Sequence, residues 1–265
     1  MSSPILLPPR RDFLKTSAAV SLATALGGLS HAAQLGYGIA PFRFDVTPPE
    51  NHPLCGGWIT PVRQVADSLE AIGFVLLSSE KPIVICAVDW TGILNEAHVA
   101  WRRALAEAAG TTPDRVAVQC VHQHDAPFAC VASEKLIARQ NAGLTVLDLE
   151  FFQTCLDRGK NAVREALPQV KSLTHIATGQ AKIDRVASNR RVDLTPDGKV
   201  RRMRGSSCRV PELIAMPEGS IDPQLKTVAF YSGEQKVVAC HYYATHPMSH
   251  YGRGEVSSDF VGLAR

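Results

Sequence analysis

The sequence predicts an α/β fold in which layers of mixed β-sheet are flanked by helices, and three observations predict it. First, an apolar strand pattern at Pro82–Val88, a helix pattern ending at Ala109 and a second strand pattern at Arg115–Cys120 follow one another directly. Such a β-α-β unit connects right-handedly and lays its two strands near each other in one sheet. Second, short turn segments join paired strand patterns. Ser78–Lys81 links Ile72–Leu77 to Pro82–Val88, and Ser232–Gln235 links Leu225–Tyr231 to Lys236–Thr245; both read as hairpins. Third, Asp148–Leu167 carries a long amphipathic pattern with one apolar stripe. Hairpins alternating with single helices fit packed layers rather than a doubly wound nucleotide fold.

The N-terminus reads as an address. Arg10-Arg11-Asp12-Phe13-Leu14-Lys15 precedes an apolar run of small residues from Ser17 to Leu29 and an Ala32-Ala33 end. This is the pattern of a twin-arginine export signal over residues 1–33, cleaved near Ala32 or Ala33, which leaves 34–265 as the domain. The run is shorter than the roughly 20 residues a permanent span requires. The expected destination is periplasmic or extracellular. Of the net charge of +3, the signal carries +2 and the remaining chain +1. A nearly neutral domain lacks the concentrated positive charge that phosphate backbones demand, so nucleic acid is not an expected partner. The one basic cluster, Lys199–Arg204, adjoins the turn Thr195–Gly198 and reads as a solvated hairpin. Seven cysteines show no C-x-x-C spacing, which argues against a zinc knuckle or a redox pair. Cys86, Cys120 and Cys240 lie in apolar runs and read as small buried hydrophobes, and the odd count supports no particular bridge.

Taken in order, Leu35–Ala40 and Phe44–Pro49 form a strand that stops at a proline turn. Asp45 there is either a turn-closing side chain or a carboxylate behind a site, with the turn favoured. Cys55-Gly56-Gly57-Trp58 is a permissive loop without phosphate-loop spacing. Asp89 closes the second hairpin strand, Asn95 is placed to cap the following helix, and Gly110 stops it. His98 and Trp101 fall on that helix's apolar rhythm and call for no functional role. Phe151, Phe152, Cys155, Leu156, Ala162, Val163 and Leu167 make the stripe of the second helix, which Pro168 ends. Leu173–Ile183 is a strand, and its His175 reads as an ordinary strand histidine.

Chemistry concentrates at two strand ends. Val121-His122-Gln123-His124-Asp125-Ala126-Pro127 follows the Arg115–Cys120 strand, and extended backbone would point His122 and His124 the same way at a sheet rim. A second histidine stretch, Tyr243-Ala244-Thr245-His246-Pro247-Met248-Ser249-His250, ends the last hairpin and precedes Ser257-Ser258-Asp259-Phe260-Val261-Gly262. Ser257-Ser258-Asp259 reads as the start of a helix.

In these motifs the chain resembles the neutral ceramidases. Their N-terminal catalytic domain carries a Thr-His-Thr-His-Ser-Gly-Pro stretch, an Asn-Arg dipeptide, and later a Val-His-Pro-Thr-Ser stretch before Ser-Gly-Asp. The order matches here, with Asn189-Arg190 in the dipeptide's place and Asp45 in the opening strand. The resemblance implies that His122 and His246 are zinc ligands, that His124 contacts substrate or supports the ligands, and that Arg190 donates to a substrate oxygen. It implies a Zn2+-dependent hydrolase that cleaves the amide of an N-acyl sphingoid base or related N-acyl compound through metal-activated water. Gln123, Asp125, Ala126 and Met248 depart from the family wording and alter the pocket walls more than the ligands. The family's remaining Glu and Tyr ligands would fall beyond Arg265, so the resemblance implies an N-terminal part of the catalytic domain, incomplete at its C-terminus.

Other readings fit the same residues. His124, Asp125, His250 or Asp259 would complete a closed metal site within this chain. An exported non-catalytic binding protein or inactive fragment of the same fold is the alternative from another class. A metallo-β-lactamase or other amidohydrolase also uses His-x-His, but the former wants Asp-His directly after the pair, where Asp125-Ala126 stands.

Overall fold

Alternation along the central strands determines how the layers stack. The computed structural model describes residues 36–205 and 208–265; the twin-arginine segment and its expected cleavage point lie outside the described residues. The strands are β1 (Gly38–Asp45), β2 (Gln64–Val65), β3 (Glu70–Leu77), β4 (Ile83–Val88), β5 (Gly92–Ile93), β6 (Val116–Cys120), β7 (Phe128–Ala129), β8 (Lys171–Ser172), β9 (His175–Lys182), β10 (Val192–Leu194), β11 (Val200–Met203), β12 (Gln224–Ser232), β13 (Gln235–Tyr242) and β14 (Glu255–Val256). The helices are α1 (Asn95–Ala109), α2 (Val131–Arg139), α3 (Leu149–Ala166), α4 (Pro211–Ile214) and α5 (Asp259–Ala264).

Five strands form a mixed sheet in the order β6-β4-β3-β1-β8. β1, β3 and β4 pair antiparallel, and β4 pairs parallel with β6, Val84 opposite Val116 and Val88 opposite Cys120. This is the expected β-α-β unit, with α1 as the crossover. Ala40, Phe42, Val75, Val84, Cys86, Val116 and Val118 share one face and bury against α1 and α3. Their neighbours Ile39, Phe74 and Ile85 point the other way, towards the second sheet, β13-β12-β9. Phe230 of β12 meets Phe74 there, ring centroids 5.1 Å apart. The layers are therefore helices, mixed sheet, antiparallel sheet, which is the predicted class. Gly73 is needed in β3 because a Cβ would lie 2.4 Å from the Phe42 ring and from the Ile85 carbonyl oxygen.

Several local expectations are met. Gly110 ends α1 in the left-handed conformation, φ 66°. Asp148 caps α3 by accepting from the Glu150 and Phe151 amides. Asp45 closes a turn, accepting from Thr47 N–H at 3.2 Å and its hydroxyl at 2.9 Å. His175 stacks on Tyr231 at 4.7 Å, and His98 lies 3.2 Å from the Val118 carbonyl. The basic cluster is the β10–β11 hairpin, where Arg201 and Arg202 both pair with Asp193. All seven cysteines are free, and burial pushes the Cys120 and Cys155 thiols up to about 12.

Others are corrected. Asn95 is not a cap: it is the first residue of α1, at φ 46°, after an extended Leu94 that supplies no side-chain cap. β13 ends at Tyr242, so His246 lies beyond the strand rather than at its tip. α5 does follow Ser258, but the Ser258 hydroxyl is drawn to Asp67 instead of capping the helix.

The loop before Gly56 and Gly57 is anchored by His52, which is buried against Phe151. Its Nδ1–H donates to the Pro53 carbonyl at 2.7 Å and its Nε2 accepts weakly from the Asp148 amide at 3.4 Å. Burial depresses its pKa, opposed by the Pro53 hydrogen bond and the Asp148 and Glu134 charges. The folded state thus prefers neutral His52. Its contribution is fully present above the unfolded value of about 6.5 and is lost as pH falls from there through the depressed folded value. Thermal melts across that window are expected to show a shallower acid-side decline in His52→Gln than in the parent; parallel declines would refute this role.

Candidate metal centre

The β6 strand stops at Cys120, and two backbone bonds then bend the chain: Val121 N–H donates to Val88 O at 3.0 Å and His122 N–H to Trp90 O at 3.1 Å. His122 sits at φ 75°, outside the extended region, which costs of order 1–3 kcal/mol in a non-glycine residue. The expectation that His122 and His124 share a side through strand alternation is therefore corrected. They come together through a bent loop held from outside.

Thr91 does the holding. Its amide donates to Pro127 O at 2.8 Å, and its hydroxyl lies 2.7 Å from Gln123 O and 3.0 Å from Ala126 O. Its own carbonyl accepts from the His122 ring Nδ1–H at 2.7 Å. The sequence carried no signal for Thr91, because its partners, backbone carbonyls and the His122 ring, lie more than thirty residues away. From the opposite side, Cys55 N–H donates to Ala126 O at 2.9 Å, so the permissive glycine loop borders this site.

The second histidine motif docks onto the first through His124, whose Nδ1–H donates to the Pro247 carbonyl at 2.9 Å across 123 residues of sequence. Ring centroids of His122, His124 and His246 then lie 5.0, 5.4 and 4.6 Å apart pairwise. One nitrogen from each lies within 4.8 Å of the others. A carbonyl can only accept, so Nδ1 of His122 and of His124 carries a proton, and Nε2 is the lone-pair donor of the neutral ring. A tetrahedral zinc at about 2.0–2.1 Å from each nitrogen would separate them by about 3.3 Å, inside that limit. His122 and His246 are exposed while His124 is buried, which leaves the solvent side open.

Electrostatics favour the neutral form of His124 and His246. Burial lowers the His124 pKa first, the His122 charge adding to it against the Pro247 hydrogen bond. Burial likewise lowers His246, reinforced by His124, His122 and Arg190. Neutral imidazole is the metal-ligating form.

The carboxylates weighed as further ligands are engaged elsewhere. Asp259 Oδ2 accepts from the Ser249 and His250 amides at 2.8 and 3.2 Å, and Asp125 Oδ1 from Gly252 at 3.0 Å. Asp67 accepts from the Ser257 hydroxyl at 2.8 Å and the Ser258 amide at 2.6 Å. Together they fix the segment that follows His246. Among the described residues the grouped donors are the three histidines, without His250, Asp125 or Asp259. Arg190 is exposed with its charge reaching His246, whereas Arg191 is buried and donates to Pro217 O at 2.9 Å.

An α/β domain with an open cluster of three histidines beyond a sheet end has a group of side chains that could hold a metal ion. The fold is ceramidase-like. A crystal structure of neutral ceramidase from Pseudomonas aeruginosa matches with a TM-score of 0.60 at 17% identity, over 85% of this chain and 34% of that one. A ceramidase complexed with C2 matches with a TM-score of 0.59 at 15% identity, over the same shares. The chain thus spans about a third of the length of these structures. No curated protein matches the sequence. Residues 8–27 match the twin-arginine translocation pathway signal sequence, the mark of export across the membrane. No helix among the described residues is long and apolar enough to cross a membrane.

Thr91→Val keeps the shape but removes the hydroxyl that anchors the Gln123–Ala126 loop. Because Thr91 is buried, the expected cost is about 1–3 kcal/mol in urea unfolding. A loosened loop is also expected to weaken zinc binding about 10- to 100-fold, the range for groups that orient ligands. Unchanged zinc affinity in a destabilised variant would show that the loop is not what aligns the histidines.

Proposed function

We propose that this chain is the metal-binding part of an exported zinc-dependent hydrolase of N-acyl amides, with His122, His124 and His246 holding the ion. The observation that carries the reading is the convergence of one ring nitrogen from each of three histidines, brought from two loops distant in sequence. His124, expected from the resemblance to contact substrate, stands here as a third ligand because its Nε2 belongs to the same cluster and its Nδ1 is already used.

Bound zinc would supply Lewis acidity towards an amide carbonyl and towards water. The chain's own residues do the rest. Backbone acceptors at Thr91 and Pro247 hold two imidazoles in the required tautomer, so no reorganisation is needed when the ion arrives. Arg190, free of any carboxylate partner among the described residues, donates to a substrate oxygen and offsets charge that develops on it. The ceramidase-like fold makes a lipid amide, an N-acyl sphingoid base or a relative, the substrate class to test first.

The test is metal analysis of the purified protein together with release of fatty acid from an N-acyl substrate. About one zinc per chain and acid release that a chelator abolishes are the expected results. Zinc without acid release would favour the non-catalytic binding protein, and a chain that takes no zinc would remove the mechanism altogether.

A further inference from the structure

A cavity of about 370 Å3 opens beside the histidine cluster. Its wall includes Asp125, Arg209, Met248, Tyr251, Arg253 and Glu255. Tyr251 sets its ring edge-on to His124 at 5.7 Å, which joins the cavity to the cluster.

The wall is chemically unbalanced in a definite way. Asp125 is 2% exposed, and its Oδ2 is buried with no hydrogen-bond partner among the described residues, although Oδ1 is satisfied by Gly252. A buried acceptor left unmade costs about 1–3 kcal/mol, so this oxygen is built to receive a donor. Glu255 is occupied by the Gln64 amide at 2.6 Å. Arg209 and Arg253 are exposed and have no carboxylate within salt-bridge distance among the described residues. The wall therefore presents one buried acceptor without a partner and two arginines without a carboxylate partner among the described residues, beside the Glu255 carboxylate held by a neutral amide.

We infer that this cavity selects substrates bearing an anionic group close to the scissile amide, the amide N–H donating to Asp125 Oδ2 and the anion pairing with Arg209 and Arg253. An N-acyl α-amino acid is the simplest compound that presents both features, its carboxylate being one carbon from the amide nitrogen. This rests on the proposed hydrolase site and narrows its substrate class. It also accounts for the departure at Asp125: an acidic side chain stands where the resembled family has serine, and a neutral amino-alcohol lipid leaves the two arginines without work.

The test compares N-octanoylglycine with N-octanoylethanolamine, which keeps the chain and the amide but replaces the carboxylate by a hydroxymethyl group. Calorimetric titration into the zinc-loaded full chain is expected to show about tenfold tighter binding of the carboxylate, weakening with salt. The Arg209→Gln/Arg253→Gln double variant, altered only at exposed side chains, is expected to lose that preference without a change in melting temperature. Equal affinities, or a preference that survives in the double variant, would overturn the inference. Zinc content measured on the same samples separates the two levels: zinc uptake with equal affinities removes the anion pocket and leaves the metal centre, whereas a carboxylate preference in a chain that takes no zinc keeps the pocket and removes the hydrolase.

Discussion

His246→Ala is expected to weaken zinc binding about a hundredfold to a thousandfold while leaving the metal-free protein almost as stable as the parent. Zinc binding to four-ligand structural sites is worth about 10–16 kcal/mol, or about 2.5–4 kcal/mol per ligand, and each 1.4 kcal/mol is a factor of ten. The His246 side chain is exposed and makes no hydrogen bond among the described residues, so its removal is expected to take little from the apo fold. His124→Ala is the contrasting case. It removes a ligand and also the Nδ1 bond to Pro247 that joins the two loops, so it is expected to lower both zinc affinity and apo stability. Zinc titration and melts with and without metal separate the effects, since a ligand at a hundred times its Kd adds about 2.7 kcal/mol. Zinc affinity unchanged in His246→Ala would show that the cluster does not act as one site.

Much of this was legible in the sequence because the signals were local. Val116 and Val118 are buried and Ala117 and Gln119 exposed along β6, so strand and facing followed from alternation alone. The α3 stripe of Phe151, Phe152, Cys155, Leu156 and Val163 followed from its period, and the β4-α1-β6 crossover from order and handedness. What was not legible depends on contacts distant along the chain. Nothing near His122 announces a positive φ, because the bend is imposed by Trp90 and Thr91 carbonyls. Nothing near His124 announces that its Nδ1 is satisfied by Pro247, the bond that sets its ring in the cluster with His122 and His246. Asn95 failed as a cap for a related reason: the backbone leaving β5 fixes its conformation, and tertiary placement overrode residue preference.

Trp90 is where core and site are joined, and Trp90→Ala should produce the largest loss of stability in the molecule. The side chain is fully buried, edge-on to Trp101 at 5.6 Å, with Phe151 and Phe152 at 6.0 and 6.3 Å. Truncating such a ring costs about 3–5 kcal/mol, a large share of the 5–15 kcal/mol typical of a domain. Its indole N–H also donates to Val46 O at 3.0 Å, while its backbone carbonyl receives the His122 amide. Relaxation of the core around the cavity should therefore reach the bent loop and weaken zinc binding as well. Two phenylalanine variants sharpen the argument. Trp90→Phe leaves the Val46 carbonyl unpaired, whereas Trp101→Phe removes an indole N–H that has no partner to lose. Trp90→Phe is thus expected to be the more destabilising of the two by about 1 kcal/mol in denaturant unfolding. If Trp101→Phe proves the worse, ring volume rather than the Val46 hydrogen bond governs this part of the core. If Trp90→Ala unfolds early yet binds zinc at parent affinity just below its transition, the histidine loop is held independently of the core behind it.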